Sequence, residues 1–289
     1  MDSIGGCALG RRLGSGGLGT VYKGRHLASG QSVAIKILAS HVAADRAIVE
    51  RFEREARLCY QLNHPHLVDV HTWGHEQGHH YMVMEYVSGT TLEILADRED
   101  RLTWAMSAAI IADVAAGLAH VHALGIVHRD IKPANMLVAR GGRAKLADLG
   151  LARDPADGLS LMRRLTTQGA AIGSPAYMAP EQIKDTASVT PAADIYGLGA
   201  SLYHAVAGSP PLIGDDPVDT CHRVLRDRAV PLQRRHPDIS STLADLVASC
   251  LEKNPDKRPA DAETVCQRLR QIIRDSGMRP GTLLGEDDV

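Results

Sequence analysis

The sequence predicts an α+β chain in two lobes, a small β-rich N-terminal lobe with one helix and a larger, mainly helical C-terminal lobe. Two observations carry this. Residues 10–86 read mostly as strands interrupted by a single amphipathic helix. After Val87-Ser88-Gly89 the texture changes to long helical patterns, most densely over 191–275, separated by Gly and Pro breaks.

Leu13 to Gly24 alternates around glycines, Gln31 to Leu38 is rich in β-branched and apolar residues, and Tyr81 to Tyr86 is a further run of this type. These are strand signals. The helix between them spans Arg46 to Leu62 and stops before Asn63-His64-Pro65. Trp104 to Ala123 is a strong helix pattern ending at Gly125, and 126–150 reads as short strands and loops. The lobe boundary is expected near 86–90, with an N-lobe of about 1–87, a C-lobe of about 88–275 and a tail or start of a linker at 276–289.

Composition narrows the function classes. The 289 residues carry a formal charge of −2, which gives no global drive toward nucleic acid. The five cysteines are scattered without metal-ligand spacing, so a reducing, cytoplasmic setting is expected. No apolar run reaches the ~18 residues of a membrane span, and the N-terminus lacks the shape of a secretory signal. Phe52 is the sole Phe, so aliphatic residues and Ala must fill the core.

Gly14-Ser15-Gly16-Gly17-Leu18-Gly19-Thr20-Val21 reads G-x-G-x-x-G-x-V. Glycines let a backbone approach phosphates and present its N–H groups. A dinucleotide-binding turn would need a helix next; here Thr20-Val21-Tyr22 favours a hairpin. In Val33-Ala34-Ile35-Lys36 a strand lysine follows, suited to neutralising α- and β-phosphate oxygens once a carboxylate holds it. Glu55 on the amphipathic helix is the chosen partner, with Glu53 and Glu50 as alternatives on the same helix.

His128-Arg129-Asp130-Ile131-Lys132-Pro133-Ala134-Asn135 is the most informative stretch. The Asp130 carboxylate can orient a hydroxyl and accept its proton. Lys132 can stabilise charge on a moving phosphoryl group. Asn135 can bind a metal through its oxygen, and Asp148, in Asp148-Leu149-Gly150, supplies a second ligand. Mg²⁺ suits such sparse oxygen ligation completed by phosphates and water.

The order of glycine loop, strand Lys, H-R-D-x-K-x-x-N, D-x-G and A-P-E resembles the protein kinase family over residues 7–275, most closely the bacterial eukaryotic-like (Hanks-type) Ser/Thr kinases. The resemblance implies the bilobal protein kinase fold, with the N-lobe helix regulatory, and transfer of the γ-phosphate of ATP to protein hydroxyls with Mg²⁺ or Mn²⁺. It implies that Gly14, Gly16 and Gly19 cover the phosphates, and that Lys36 pairs with Glu55. Asp130 becomes the catalytic base, Lys132 the γ-phosphate contact, and Asn135 and Asp148 the metal ligands. Glu85 and Val87 would offer hinge backbone to adenine behind the gatekeeper Met84, and Leu13, Val21, Ala34 and Leu137 would sandwich the ring. Ser174 would bond Asp130 and Lys132 and shape the substrate platform. Arg258 would pair with Glu181, and Asp194 would brace the catalytic loop.

Two departures stand out. Leu149 replaces the usual Phe of the D-F-G turn, and Ala134 stands where many kinases that select basic substrates have Glu. The resemblance further implies a switch: Thr166 and Thr167 as phosphosites, read by Arg129, Arg51 and Arg153. Expected partners are protein substrates and a second copy pairing through N-lobes for phosphorylation in trans, with no nucleic acid and no membrane segment. The chain is expected to be cytoplasmic, either alone or as the cytoplasmic portion of a longer membrane receptor. A non-catalytic scaffold of the same fold is the alternative; it predicts loss of Lys36, Asp130, Asn135 or Asp148, and all four are present. A small-molecule phosphotransferase on a related fold is disfavoured by the segment Gly173 to Glu181. Of the weaker signals, His71, His75, His79 and His80 read as a solvated polar connection rather than a metal site. Trp73 and Trp104 read as packing residues, and Cys59 as a buried inert thiol.

Overall fold

The computed structural model describes residues 2–98, 102–149, 174–185 and 189–278. The chain divides into two compact units, one holding Met1–Ser88 with Leu149, the other Gly89–Asp148 and the described residues from Ser174 on.

The first unit is built on a six-stranded antiparallel sheet. Its strands are β1 (Ser3–Ile4), β2 (Cys7–Gly16), β3 (Gly19–His26), β4 (Ser32–Leu38), β5 (Val70–Glu76) and β6 (His79–Glu85), in the order β1-β2-β3-β4-β6-β5. After β4 come the short α1 (Ser40–Ala43) and then α2 (Arg46–Gln61), whose N-cap Asp45 accepts from the Ala47 amide. Strand periodicity sorts the side chains onto two faces. Ala34 and Leu38 join Phe52 and Ala56 of α2 with Met82 and Met84 in one apolar cluster, while Val33 and Ile35 join Ile4, Cys7 and Val83 in another. The dipeptide-length β1 gives no sequence signal of its own; it exists because Ile4 and Cys7 close the second cluster.

The second unit has a small sheet of β7 (Gly89–Thr91), β8 (Met136–Ala139) and β9 (Ala144–Leu146), in that order. Its helices are α3 (Leu92–Ala96), α4 (Trp104–Ala123), α5 (Pro180–Lys184), α6 (Pro191–Ala207), α7 (Pro217–Arg226), α8 (Leu232–Arg235), α9 (Ser241–Cys250) and α10 (Ala262–Ser276). Thr103 caps α4, accepting from the Met106 amide at 3.2 Å, and Gly125 follows its end with φ 75°. Both α4 and α6 are apolar nearly all round, the signature of helices inside a core.

The composition of α4 bears on the expected absence of a membrane segment. By length and composition α4 is apolar enough to cross a membrane, although no uninterrupted apolar run reaches that length; its isolated His, Ser and Asp residues scarcely offset the Ala, Ile and Val. In the fold 61% of its most apolar stretch is buried, packed on α6, α10 and β9.

Candidate active site

In the first unit β4 carries Lys36. The register sets Lys36 beside Val21 of β3 and Met82 of β6, and Ala34 beside Met84. Lys36 therefore points to the same face as Ala34, toward α2. On α2 the residues buried at helical spacing are Phe52, Glu55 and Ala56. Glu55 places a carboxylate within an apolar stripe at 4% exposure, a position that demands a partner. Lys36 supplies it, with Nζ 3.8 Å from Oε1. The alternatives are engaged elsewhere: Glu50 pairs with Arg46 at 2.9 Å, and Glu53 lies 3.3 Å from His80 Nδ1.

The glycine loop is the turn joining β2 to β3, with Gly16 opposite Gly19. Its glycines serve different ends. A Cβ on Gly19 would sit 2.1 Å from the Ile37 carbonyl oxygen, so Gly19 is needed for β3 to approach β4, whereas a Cβ on Gly14 or Gly16 would meet nothing within 4 Å. Leu13 is exposed, Val21 half-buried, and Ala34 and Met84 buried. At the end of β6 the Glu85 amide donates to the Asp69 carbonyl at 2.8 Å, which fixes the strand where Val87 follows.

In the second unit the loop 128–135 leads through a 3₁₀ turn, Pro133–Asn135, into β8, which carries Leu137. Asp130 is its centre. Lys132 Nζ lies 2.8 Å from Asp130 Oδ2. Asn135 Nδ2 donates to the Asp130 carbonyl at 2.8 Å and to Oδ2 at 3.1 Å. With its amide hydrogens so used, Asn135 has Oδ1 to offer a cation. Asp148 follows β9 with φ 52°, and Arg129 has φ 68°; both are left-handed positions that non-glycine residues seldom take. Such strain persists only when the surroundings over-determine it.

The surroundings do so here. The buried carboxylate of Asp194, on α6, accepts from the His128 amide (Oδ2, 2.8 Å) and the Arg129 amide (Oδ1, 2.8 Å). His122 Nε2 donates to the same Oδ2 at 2.8 Å. Gln182 of α5 donates through Nε2 to the Arg129 carbonyl at 3.0 Å, while its Oε1 accepts from the Ala179 amide. Beneath the loop, Gly197 lets α6 touch Ile131, where a Cβ would fall 2.7 Å from the Ile131 Cβ. His128 is wholly buried, and burial pushes its pKa down despite the nearby Asp194 and Asp130, so it stays neutral.

The first unit thus carries a glycine turn and a buried Lys–Glu pair, and the second a carboxylate held by Lys and Asn on a braced loop. The protein kinase domain model matches residues 7–269. The chain belongs to the protein kinase family. It is 38% identical to the serine/threonine-protein kinase PknB of Mycolicibacterium smegmatis over 270 residues, 92% of this chain and 42% of that protein. It is 33% identical to the probable serine/threonine-protein kinase CPE1738 of Clostridium perfringens, covering 96% of this chain and 39% of that one. The chain thus spans less than half the length of these curated relatives. Among solved structures, the kinase domain of Mycobacterium tuberculosis PknI superposes with a TM-score of 0.70 at 28% identity, covering 93% of this chain and 97% of that chain.

Within this kinase fold Arg258 and Glu181 make a bidentate pair, Nη1–Oε1 2.5 Å and Nη2–Oε2 2.9 Å. Ser174 lies at the edge of the same region. It precedes the 3₁₀ turn Pro175–Tyr177 as its N-cap. It shares the lining of a small polar pocket with Arg129, Asp130, Tyr177, Gln182 and Asp194. Leu149, in the place of the usual Phe, is buried at 4% exposure. Thr166, Thr167, Arg153 and Gly150 lie outside the described residues. Among the described residues no three His, Cys, Asp or Glu gather as a metal group; the His75 and His80 rings lie tilted by 40° with centroids 4.4 Å apart. His122 and Gln182 are bracing residues the sequence reading passed over. Their signal was position, His122 six residues before His128 and Gln182 directly after Ala179-Pro180-Glu181, but nothing in their chemistry announces a partner far along the chain.

Proposed function

We propose that this chain is a Ser/Thr protein kinase catalytic domain that transfers the γ-phosphate of ATP to hydroxyls of protein substrates. The observation that carries this reading is the Asp130 carboxylate, held by Lys132 and Asn135 in a loop whose backbone Asp194 clamps. Asp130 accepts the proton of the substrate hydroxyl as its oxygen bonds to the γ-phosphorus. The bond from that phosphorus to the β,γ-bridging oxygen breaks, and ADP leaves with the electron pair. Lys132 meets charge on the transferring group, and Lys36, held by Glu55, meets the α- and β-phosphates. Asn135 and Asp148 are the ligands that would hold Mg²⁺ or Mn²⁺, which supplies charge neutralisation on the phosphates. The oxygen-only chemistry of that pair fits a hard cation.

The backbone at Glu85 and Val87 is assigned to adenine, with Leu13, Val21, Ala34 and Leu137 against the ring, Met84 as gatekeeper and Ser174 in the substrate platform. Thr166 and Thr167 are the assigned sites of regulatory self-phosphorylation, carried out in trans by a second copy. The test is incubation of the purified chain with ATP and Mg²⁺, followed by phosphosite mapping on the chain and on a generic protein substrate. Phosphoserine and phosphothreonine are expected on both, with Thr166 or Thr167 among the sites. Absence of phosphate transfer to any hydroxyl overturns the reading.

A further inference from the structure

Tyr177, in the segment Ser174–Ala179, is 7% exposed, so its hydroxyl requires a partner inside the protein. It finds His204 on α6, with Oη 2.6 Å from Nδ1 and the two rings 25° from parallel. The far side of the same imidazole faces Asp97, the C-cap of α3, with Nε2 3.3 Å from Oδ1. The protons follow from the chemistry. A carboxylate only accepts, so Nε2 carries hydrogen and donates to Asp97; Nδ1 then accepts, and the Tyr177 hydroxyl donates. Each polar atom of this chain is satisfied in one arrangement only. The phenol keeps its proton, since burial and then the nearby Glu93 and Asp97 raise its pKa well above the ordinary range.

We propose that Asp97 and His204 form a hydrogen-bonded relay that positions Tyr177, and through it the Ser174–Ala179 segment against which a protein substrate lies. This rests on the kinase reading. Its location supports it: Ser174 and Tyr177 line the polar pocket that also holds Asp130, and the Ala179 amide is tied by Gln182 to the Arg129 carbonyl of the catalytic loop. The segment is thus fixed at one end by the loop and in its middle by His204. His204 and Asp97 are positioning residues; neither is placed against the reacting atoms.

The relay carries a pH signature. Burial pushes the His204 pKa down, against the opposing pull of Asp97 and Glu93 on the α3 side. Elsewhere around it, α4 presents Ser107 to the Ala205 carbonyl, and Arg235 of α8 lies over the neighbouring Tyr203 ring. Protonation gives Nδ1 a hydrogen and turns an acceptor into a donor, so the buried Tyr177 hydroxyl loses its acceptor. Positioning therefore holds at neutral pH and fails as pH falls below the ordinary histidine range.

The experiment is steady-state kinetics on a peptide substrate with Tyr177→Phe, Asp97→Asn and His204→Phe, each against wild type from pH 5.5 to 8. Tyr177→Phe is expected to raise the peptide KM about fivefold or more, the scale of one lost buried hydrogen bond. The ATP KM stays within about twofold, since nucleotide is met elsewhere. In wild type the peptide KM rises on the acid side, and in Tyr177→Phe that rise is absent. Hydrogen exchange of 174–179 on the same proteins needs no turnover, so it reads the relay even if the chain transfers no phosphate; faster exchange in Tyr177→Phe is expected. Unchanged peptide KM with unchanged exchange overturns the relay while leaving the kinase reading intact. A lowered melting temperature with unaltered kinetic constants also overturns it.

Discussion

Arg258 and Glu181 join parts of the chain 77 residues apart through two parallel hydrogen bonds, and the Arg258 side chain is fully buried. The guanidinium has further acceptors in the carbonyls of Ala192 and Glu252, at 2.8 Å each, and it lies 5.2 Å from the centroid of the Tyr196 ring. A planar fork with several donors can meet all of these at once, as an ammonium cannot. One side chain thus ties α5 to the start of α6 and to the turn after α9.

From this pair the first prediction follows. Glu181→Ala leaves a buried guanidinium without its counter-charge, which costs about 3–5 kcal/mol. Arg258→Lys keeps the charge but lacks the fork, and loses less stability than Glu181→Ala. Chemical denaturation of the three proteins checks the order wild type, Arg258→Lys, Glu181→Ala. Equal midpoints for wild type and Glu181→Ala contradict it.

The second prediction separates the helix carboxylates of α2. Asp130→Asn and Lys36→Met each lower phosphoryl transfer by orders of magnitude with the fold intact, because catalysis rests on positioned charge. Glu55→Gln lowers transfer about tenfold or more by loosening Lys36, the order of a lost charge-assisted contact of about 1.5–3 kcal/mol. Glu53→Gln, whose carboxylate faces His80 instead, stays within about twofold. Turnover of the folded variants decides, and equal losses for Glu53→Gln and Glu55→Gln would refute the assignment.

Metal dependence gives the third prediction. Activity vanishes in excess chelator and returns with Mg²⁺ or Mn²⁺. Asn135→Ala raises the Mg²⁺ concentration needed for half-maximal rate, and it also releases the two hydrogen bonds to Asp130, so the maximal rate falls as well. Titration of rate against Mg²⁺ reads both effects. Transfer that persists in chelator sinks the assignment of Asn135 and Asp148.

The residues legible in sequence were those whose chemistry is local. Lys36 sits in a strand with three β-branched residues, Val33, Ile35 and Ile37, α4 runs over the Trp104–Ala123 span its pattern indicates, and H-R-D-x-K-x-x-N holds its whole cluster within eight positions. What escaped was made by distant packing. His122 and Asp194 meet across 72 positions and Tyr177 and His204 across 27, so no window of sequence contains both partners. The two-residue β1 is a strand only because a neighbouring strand accepts it.

The last prediction concerns Lys253, whose ammonium donates to the Val224 carbonyl at 2.6 Å and lies 5.9 Å from the Tyr196 ring centroid. Burial, aided by Arg258 and opposed by Asp227, lowers its pKa to about 8. An unfolded chain restores the ordinary lysine value of about 10.4. Between those limits the unfolded state binds more protons than the folded one, so stability rises with pH across that window. Below about pH 8 both states are charged and this contribution is absent. Lys253→Met keeps the stem against Tyr196 but has no proton to lose, so the comparison removes the titration of every other group. The melting temperature of wild type minus that of Lys253→Met should be flat from pH 6.5 to 7.5 and climb from pH 8 to 10. A difference that stays flat to pH 10 means that Lys253 titrates as an ordinary solvated lysine. A difference that falls over the same range means that the folded state favours the ammonium, and that its contact with the Val224 carbonyl outweighs burial.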